Sequence, residues 1–271
     1  MAIKLVAIDL DDTLLDARHR ISEQCITDIR RVRNKGIHVT LATGRMYQAT
    51  LPYARQLALD IPLIAYQGAL VKSSYSGEVF YYQTIATELA LELLIMLKQS
   101  GVSCYLYCND TLYLEELNDD ARYYARVTNI KPCVVPRLED TLQLYAATEI
   151  MVVTNEPEDT DKIEACLTSR YGSKLHITRF KDRNLELMDS RATKANALEV
   201  IAGHYNIKRE EVMAIGDGYN DLPMIKWAGI GVAMGNAPDI VKAAADYITL
   251  SNEEEGVSEA LRRFILVGDG D

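Results

Sequence analysis

Three aspartates within four residues, Asp9, Asp11 and Asp12, follow the apolar run Ile3-Lys4-Leu5-Val6-Ala7-Ile8 and are closed by Thr13. Carboxylates this close repel one another, and either a cation among them or full solvation as a loop relieves the repulsion. A second acidic turn, Gly216-Asp217-Gly218-Tyr219-Asn220-Asp221, follows the short apolar run 212–215. Between the two stand Thr43-Gly44-Arg45, after the apolar run 37–42, and Lys194, directly after Thr193. A nucleophilic carboxylate, a second carboxylate two residues on that exchanges protons, a hydroxyl and an ammonium for phosphate oxygens, and acids for Mg2+ make up a phosphoryl-transfer site. Each part also has a plainer reading. Lys194 alone reads as a solvated helix lysine, Thr43 as the cap of a following helix, and Asp217 with Asp221 as a turn and its cap.

What sets these residues apart is where the elements put them. The run 3–8 has the length and β-branching of a buried parallel strand, and open α/β sheets bind ligands at the carboxyl ends of their strands. Ser22 can cap a helix over 24–34, with Lys35-Gly36 as its stop, and the run 37–42 is a second strand. Strand, helix, strand is a right-handed parallel crossover, so Thr43 is expected beside Asp9 on one sheet edge. A helix over 47–57 leads to a third strand, 63–66, ending in Gln67-Gly68. Far along the chain Thr193 can cap a helix carrying Lys194, Ala197, Leu198 and Ile201. Strands at 212–215 and 230–234, a helix at 237–245, a short edge strand at 247–249 and a closing helix at 253–264 complete the series. The fold class expected is α/β, a doubly wound, mostly parallel Rossmann-like core.

The texture changes after Gly68. Runs 71–75 and 78–83 flank Ser76-Gly77 as a hairpin, and 103–108 and 111–114 form another across Asn109-Asp110. Helical patterns at 87–99, 119–128 and 159–171 alternate with strands at 149–153, 175–178 and 185–188. Helices with antiparallel hairpins and no Gly-rich phosphate loop predict an inserted α+β domain over 84–184, with the core formed by 1–83 and 185–271.

Composition narrows the function classes. The 271 residues, 48% of them apolar, suffice for a substantial core. A formal net charge of −10 argues against nucleic acid and anionic membrane as partners. Five cysteines, an odd set with no Cys-x-x-Cys pair, read as reduced thiols and make a zinc site an unattractive reading. No window is apolar enough to span a bilayer and no charged leader precedes the first strand, so a cytoplasmic location is expected.

These residues also carry a family resemblance. Asp9-Leu10-Asp11-Asp12-Thr13, Ala42-Thr43-Gly44-Arg45, Thr193-Lys194-Ala195-Asn196-Ala197-Leu198 and Gly216-Asp217-Gly218-Tyr219-Asn220-Asp221 resemble, in order, the motifs of the haloacid-dehalogenase-like (HAD) hydrolases. The insertion looks like the type IIB cap of the sugar-phosphatase-like subgroup. The resemblance implies a phosphatase acting on small phosphorylated metabolites through an aspartyl phosphate on Asp9, with Asp11 as general acid and base. It further implies phosphate held by the Leu10 backbone, the Thr43-Gly44 turn, Lys194 and Asn220, with Arg45 beside them. Mg2+ would be ligated by Asp9, the Asp11 carbonyl and Asp217, with Asp221 behind these ligands.

The chain departs from the family pattern where Asp12, Gln67 and Ala195 stand in place of Gly, Asn and Gly. Asp12 lacks glycine's freedom, and the longer Gln67 bears on the substrate pocket. Arg45, Gln67, Arg183 and Asn184 are candidates for substrate recognition. An acid at Asp11 argues for phosphate esters over halides, because a leaving alcohol needs a proton and a halide does not. Two rival readings share the motifs: a phosphomutase handing the phosphoryl group to a sugar hydroxyl, and a sensor that binds a phosphorylated metabolite without turnover.

Overall fold

The computed structural model describes residues 2–128 and 130–267. The chain divides into two compact units, Met1–Tyr81 with Thr193–Asp271, and Tyr82–Ala192. In the first, a five-stranded sheet runs in the order Tyr247–Ile248, Ile230–Ala233, Val212–Gly216, Leu5–Ile8, His38–Leu41, and every neighbouring pair is parallel. Leu5 lies opposite both Val212 and His38, so the strand that leads into Asp9 has a partner on each side. All four of its residues are buried, as a strand covered on both faces requires. Leu5 and Ala7 pack with Ala197, Leu198 and Ile201 of the helix Lys194–His204. Helices Glu23–Asn34 and Gly256–Phe264 pack against each other.

Local chemistry explains the element ends. Ser22 caps its helix by accepting from the Cys25 N–H, and Thr193 does the same for the Asn196 N–H. The loop after Asp9 turns sharply, with Asp12 at φ 57°, a left-handed conformation that aspartate tolerates better than most residues. Beyond His38–Leu41 an isolated parallel bridge, Ala42 to Ile64, joins the sheet to Pro62–Ala65, which continues as an antiparallel partner of Leu70–Ser73.

The second unit has a six-stranded sheet in the order Leu175–Lys181, Asn184–Asp189, Ala147–Val153, Ser103–Cys108, Thr111–Leu114, Cys133–Val134. Helices Thr87–Gln99 and Pro157–Tyr171 pack on it through Leu93, Leu94, Leu97 and Leu167, against Leu106, Ile150, Val152, Leu185 and Leu187. The expected return to the core at Leu185 comes eight residues early. Asn184–Asp189 is hydrogen-bonded antiparallel on both sides, to Leu175–Lys181 and to Ala147–Val153, and its Leu185 and Leu187 complete this unit's own core. The second helix begins at Pro157 rather than Asp159, because proline's fixed φ suits a first helical position. Among the described residues no helix is long and apolar enough to cross a membrane.

Candidate active site

The Asp9 N–H donates to the Ile215 carbonyl (3.0 Å), carrying the sheet ladder one residue beyond the strand Leu5–Ile8. On the other flank the Ala42 N–H donates to the Ile8 carbonyl (2.9 Å) and the Thr43 N–H to the Ile64 carbonyl (3.0 Å). Two strand ends thus deliver Asp9 and Thr43 to one edge, where the topology rule for α/β sheets places ligands. Thr43 does not cap the next helix: its hydroxyl accepts from the Arg45 N–H (3.1 Å), and the helix Tyr47–Gln56 starts after Met46.

Lys194, the first residue of its helix, is a fully buried ammonium and not a solvated lysine. Its Nζ donates to Asp9 Oδ1 and to Asp221 Oδ1, each at 2.6 Å. The other oxygen of Asp221 accepts from the backbone N–H groups of Asp217 (3.0 Å) and Gly218 (2.9 Å). Asp221 is therefore both the brace of an acidic turn and half of a charge pair. Burial and then the Asp221 charge drive the Asp9 carboxyl well above its ordinary 3.8, with Lys194 opposing. Burial by itself lowers Lys194, but the two carboxylates outweigh it and hold the ammonium above its ordinary value. Burial and the same Asp221 charge push Asp217 up to about 7.

Asp9, Asp217 and Asp221 each bring a carboxylate oxygen within 4.8 Å of the others. One ammonium cannot balance three acids, and oxygen donors are the set that hard divalent cations prefer. Asp217 Oδ1 accepts from the Thr13 hydroxyl (2.9 Å), whereas Oδ2 of Asp9 and Oδ2 of Asp217 accept no hydrogen bond among the described residues. With three acids gathered around one ammonium, the donor set fits a divalent metal. The Asp11 carboxylate is not in this group.

Asp11 is instead gripped by Arg45, whose Nε donates to Oδ2 (2.8 Å) and whose terminal nitrogen donates to Oδ1 (2.5 Å). The place expected for Arg45 is beside phosphate; its planar fork matches a carboxylate and is occupied by one. The guanidinium also lies 5.2 Å from the Tyr53 ring centroid and donates to the Tyr53 hydroxyl (3.3 Å). His19 completes the cluster, its Nδ1 lying 3.7 Å from Asp11 Oδ1.

Gln67 ties the remaining pieces together. Tyr66, Gln67 and Gly68 have φ values of 51°, 54° and 103°, three successive left-handed residues that cost about 1–3 kcal/mol for each non-glycine. Backbone bonds hold them, from the Tyr66 N–H to the Arg45 carbonyl (3.0 Å) and from the Gln67 N–H to the Thr43 carbonyl (3.1 Å). The buried Gln67 amide accepts from Asn220 Nδ2 (2.9 Å) and lies so close over Gly44 that any β-carbon there would strike it. Leu10 is buried in the turn, its carbonyl accepting from the Leu15 N–H (2.9 Å). Arg183 donates to the Asn155 carbonyl (3.2 Å) inside the second unit. Sequence reasoning assigns no role to Thr13, His19 or Tyr53. Thr13 carries a signal, since it closes the acidic run; the other two carry none.

Known proteins match this chain over nearly its whole length. Residues 6–261 match the family model of the haloacid dehalogenase-like hydrolases. A putative phosphatase of Bacillus subtilis is 30% identical over 268 residues, covering 97% of this chain and 98% of that protein. A haloacid dehalogenase-like hydrolase from Bacteroides thetaiotaomicron superposes with a TM-score of 0.87 at 32% identity, over 96% of this chain and 99% of the other. A subclass IIB sugar phosphatase superposes with a TM-score of 0.82 at 27% identity, over 97% and 100%. With a parallel sheet that gathers Asp9, Thr43, Lys194 and Asp217 at one edge, the chain belongs to the haloacid dehalogenase-like hydrolases, among that family's phosphatases.

Proposed function

We propose that this phosphatase hydrolyses monoesters of small hydroxylated metabolites, sugar phosphates foremost, through an aspartyl phosphate on Asp9 and with Mg2+ as its metal. The observation that carries the reading is the division of labour within Asp9. One oxygen is held by Lys194 and the other accepts no hydrogen bond among the described residues, which leaves it free to attack phosphorus. Lys194 offsets the charge that would repel the incoming phosphate, and the Thr43 hydroxyl and Asn220 amide would donate to its oxygens. Asp9, Asp217 and the Asp11 carbonyl would hold Mg2+, which when bound supplies charge neutralisation for the phosphoryl group.

Asp11 gives a proton to the departing alcohol, then takes one from the water that hydrolyses the aspartyl phosphate. Both steps occur where the alcohol oxygen leaves and the water oxygen enters, so one carboxyl serves both. The likeness to a sugar phosphatase supports the substrate class. Screening the purified protein with Mg2+ against phosphorylated sugars, polyols and nucleotides, with released inorganic phosphate as readout, tests it. Sugar or polyol phosphates should rank first. A preference for nucleotides, or transfer of phosphate to a sugar hydroxyl without release, would contradict it.

A further inference from the structure

We propose that His19 is a substrate contact, its Nε2–H donating to a hydroxyl on the alcohol half of the ester and so favouring hydroxylated leaving groups. This rests on the reading of Asp11 as the acid that protonates the leaving alcohol. A general acid must come within about 2.6–3.2 Å of the oxygen it protonates. His19 Nδ1 is 3.7 Å from Asp11 Oδ1, so atoms attached to that leaving oxygen lie against the imidazole.

Nδ1 lies toward Arg45 and Asp11, which leaves Nε2 to meet the ligand. Nδ1 is 3.5 Å from an Arg45 terminal nitrogen, which can only donate; we take Nδ1 as the acceptor of that contact, which puts the proton on Nε2. Nε2 makes no hydrogen bond among the described residues, and the side chain is 58% exposed. A donor therefore stands open next to the leaving-group position.

The loop is built to hold that ring. Asp16 Oδ1 accepts from the N–H groups of Arg18 (2.9 Å) and Arg20 (2.8 Å), and the His19 N–H donates to the Asp16 carbonyl (2.8 Å). The Ala17 N–H donates to Glu253 (2.7 Å) and the Tyr53 hydroxyl to the His19 carbonyl (3.4 Å). His19 itself has φ 55°, a left-handed conformation that the surrounding bonds impose. The main chain is fixed while the imidazole tip is left uncommitted, as suits a side chain that meets a ligand.

The test compares p-nitrophenyl phosphate, which has no hydroxyl on its alcohol half, with the best hexose, pentose or polyol phosphate. In His19→Phe the ratio of kcat/KM for the hydroxylated ester to that for the aryl ester should fall about ten-fold, through KM, the scale of one neutral hydrogen bond. His19→Gln, whose amide N–H reaches toward the Nε2 position, should recover most of that ratio. Equal losses on both esters, or no change in the ratio, would overturn the inference. Asp11→Asn on the same panel separates it from its premise: equal loss on good and poor leaving groups removes the acid role, whatever His19 does. A wild-type enzyme that turns over no hydroxylated ester overturns both.

Discussion

At the residue scale the site is a set of shared oxygens. Asp9 and Asp221 each give one oxygen to Lys194, and Asp217 gives one to Thr13. Removing the Thr13 hydroxyl leaves the Asp217 carboxylate without its orienting donor. Thr13→Val should therefore weaken Mg2+ activation about 10- to 100-fold, the usual effect of losing a partner behind a metal ligand. Titrating Mg2+ against initial rate checks this; an unchanged half-saturation would contradict it. Asp11→Asn keeps the side chain's size, can accept only one of the two Arg45 hydrogen bonds, and cannot exchange a proton. Its kcat on sugar phosphates should fall by about 10²–10⁴, and clearly less on p-nitrophenyl phosphate, whose leaving group departs as the anion. Gly44→Ala should be damaging because its methyl meets the Gln67 amide, and Gln67→Ala should restore part of the loss in the double variant.

At the element scale the second unit carries an unusual pair. Glu149 of Ala147–Val153 and Glu186 of Asn184–Asp189 are both buried in the same sheet. Burial and then the neighbouring Glu186 charge hold Glu149 well above its ordinary 4.5. The folded state therefore keeps a proton that the unfolded chain releases above about pH 4.5. Stability falls as pH rises from there through the folded value. Glu149→Gln removes this loss, so its Tm should exceed wild type by about 3 °C or more at pH 8, with the gap closing toward pH 5. A gap that widened toward low pH would reverse the sign and refute the assignment.

The neighbouring strand Asn184–Asp189 shows what the sequence hides. Leu5–Ile8 and Val212–Gly216 are readable because an apolar run that stops abruptly at acids matches a buried strand feeding a polar sheet edge and little else. The Ser22 and Thr193 caps are readable from one side chain each. Leu185–Met188 is apolar in part of its length too, yet it belongs with Ala147–Val153, because a short buried run does not say which strand it will pair with. The Asp11 to Arg45 grip spans 34 positions and the Gln67 to Asn220 bond spans 153. Neither has a local pattern, since side chains on different strand ends meet only after the sheet is assembled.

At the scale of the whole molecule, a net charge of −10 and a concentrated acidic edge make a bound cation an integral part of the working enzyme as proposed. Chelator should silence turnover and Mg2+ restore it. Ca2+ should fail to do so, because its larger, higher coordination captures both oxygens of Asp9. Mg2+ should also raise the Tm of the metal-stripped protein, and Asp217→Asn should abolish that gain. Full activity in excess chelator would rule out a metal-dependent mechanism.

In the proposed mechanism the phosphoryl group passes through Asp9, and it can be trapped there. Acid quench of enzyme, Mg2+ and a 32P-labelled sugar phosphate during turnover, followed by proteolysis and mass spectrometry, locates the label. It should sit on the peptide carrying Asp9, be released by hydroxylamine as an acyl phosphate is, and be absent from Asp9→Asn. Label on another residue, or rapid turnover in which no quench time yields any phosphorylated protein, would contradict the mechanism.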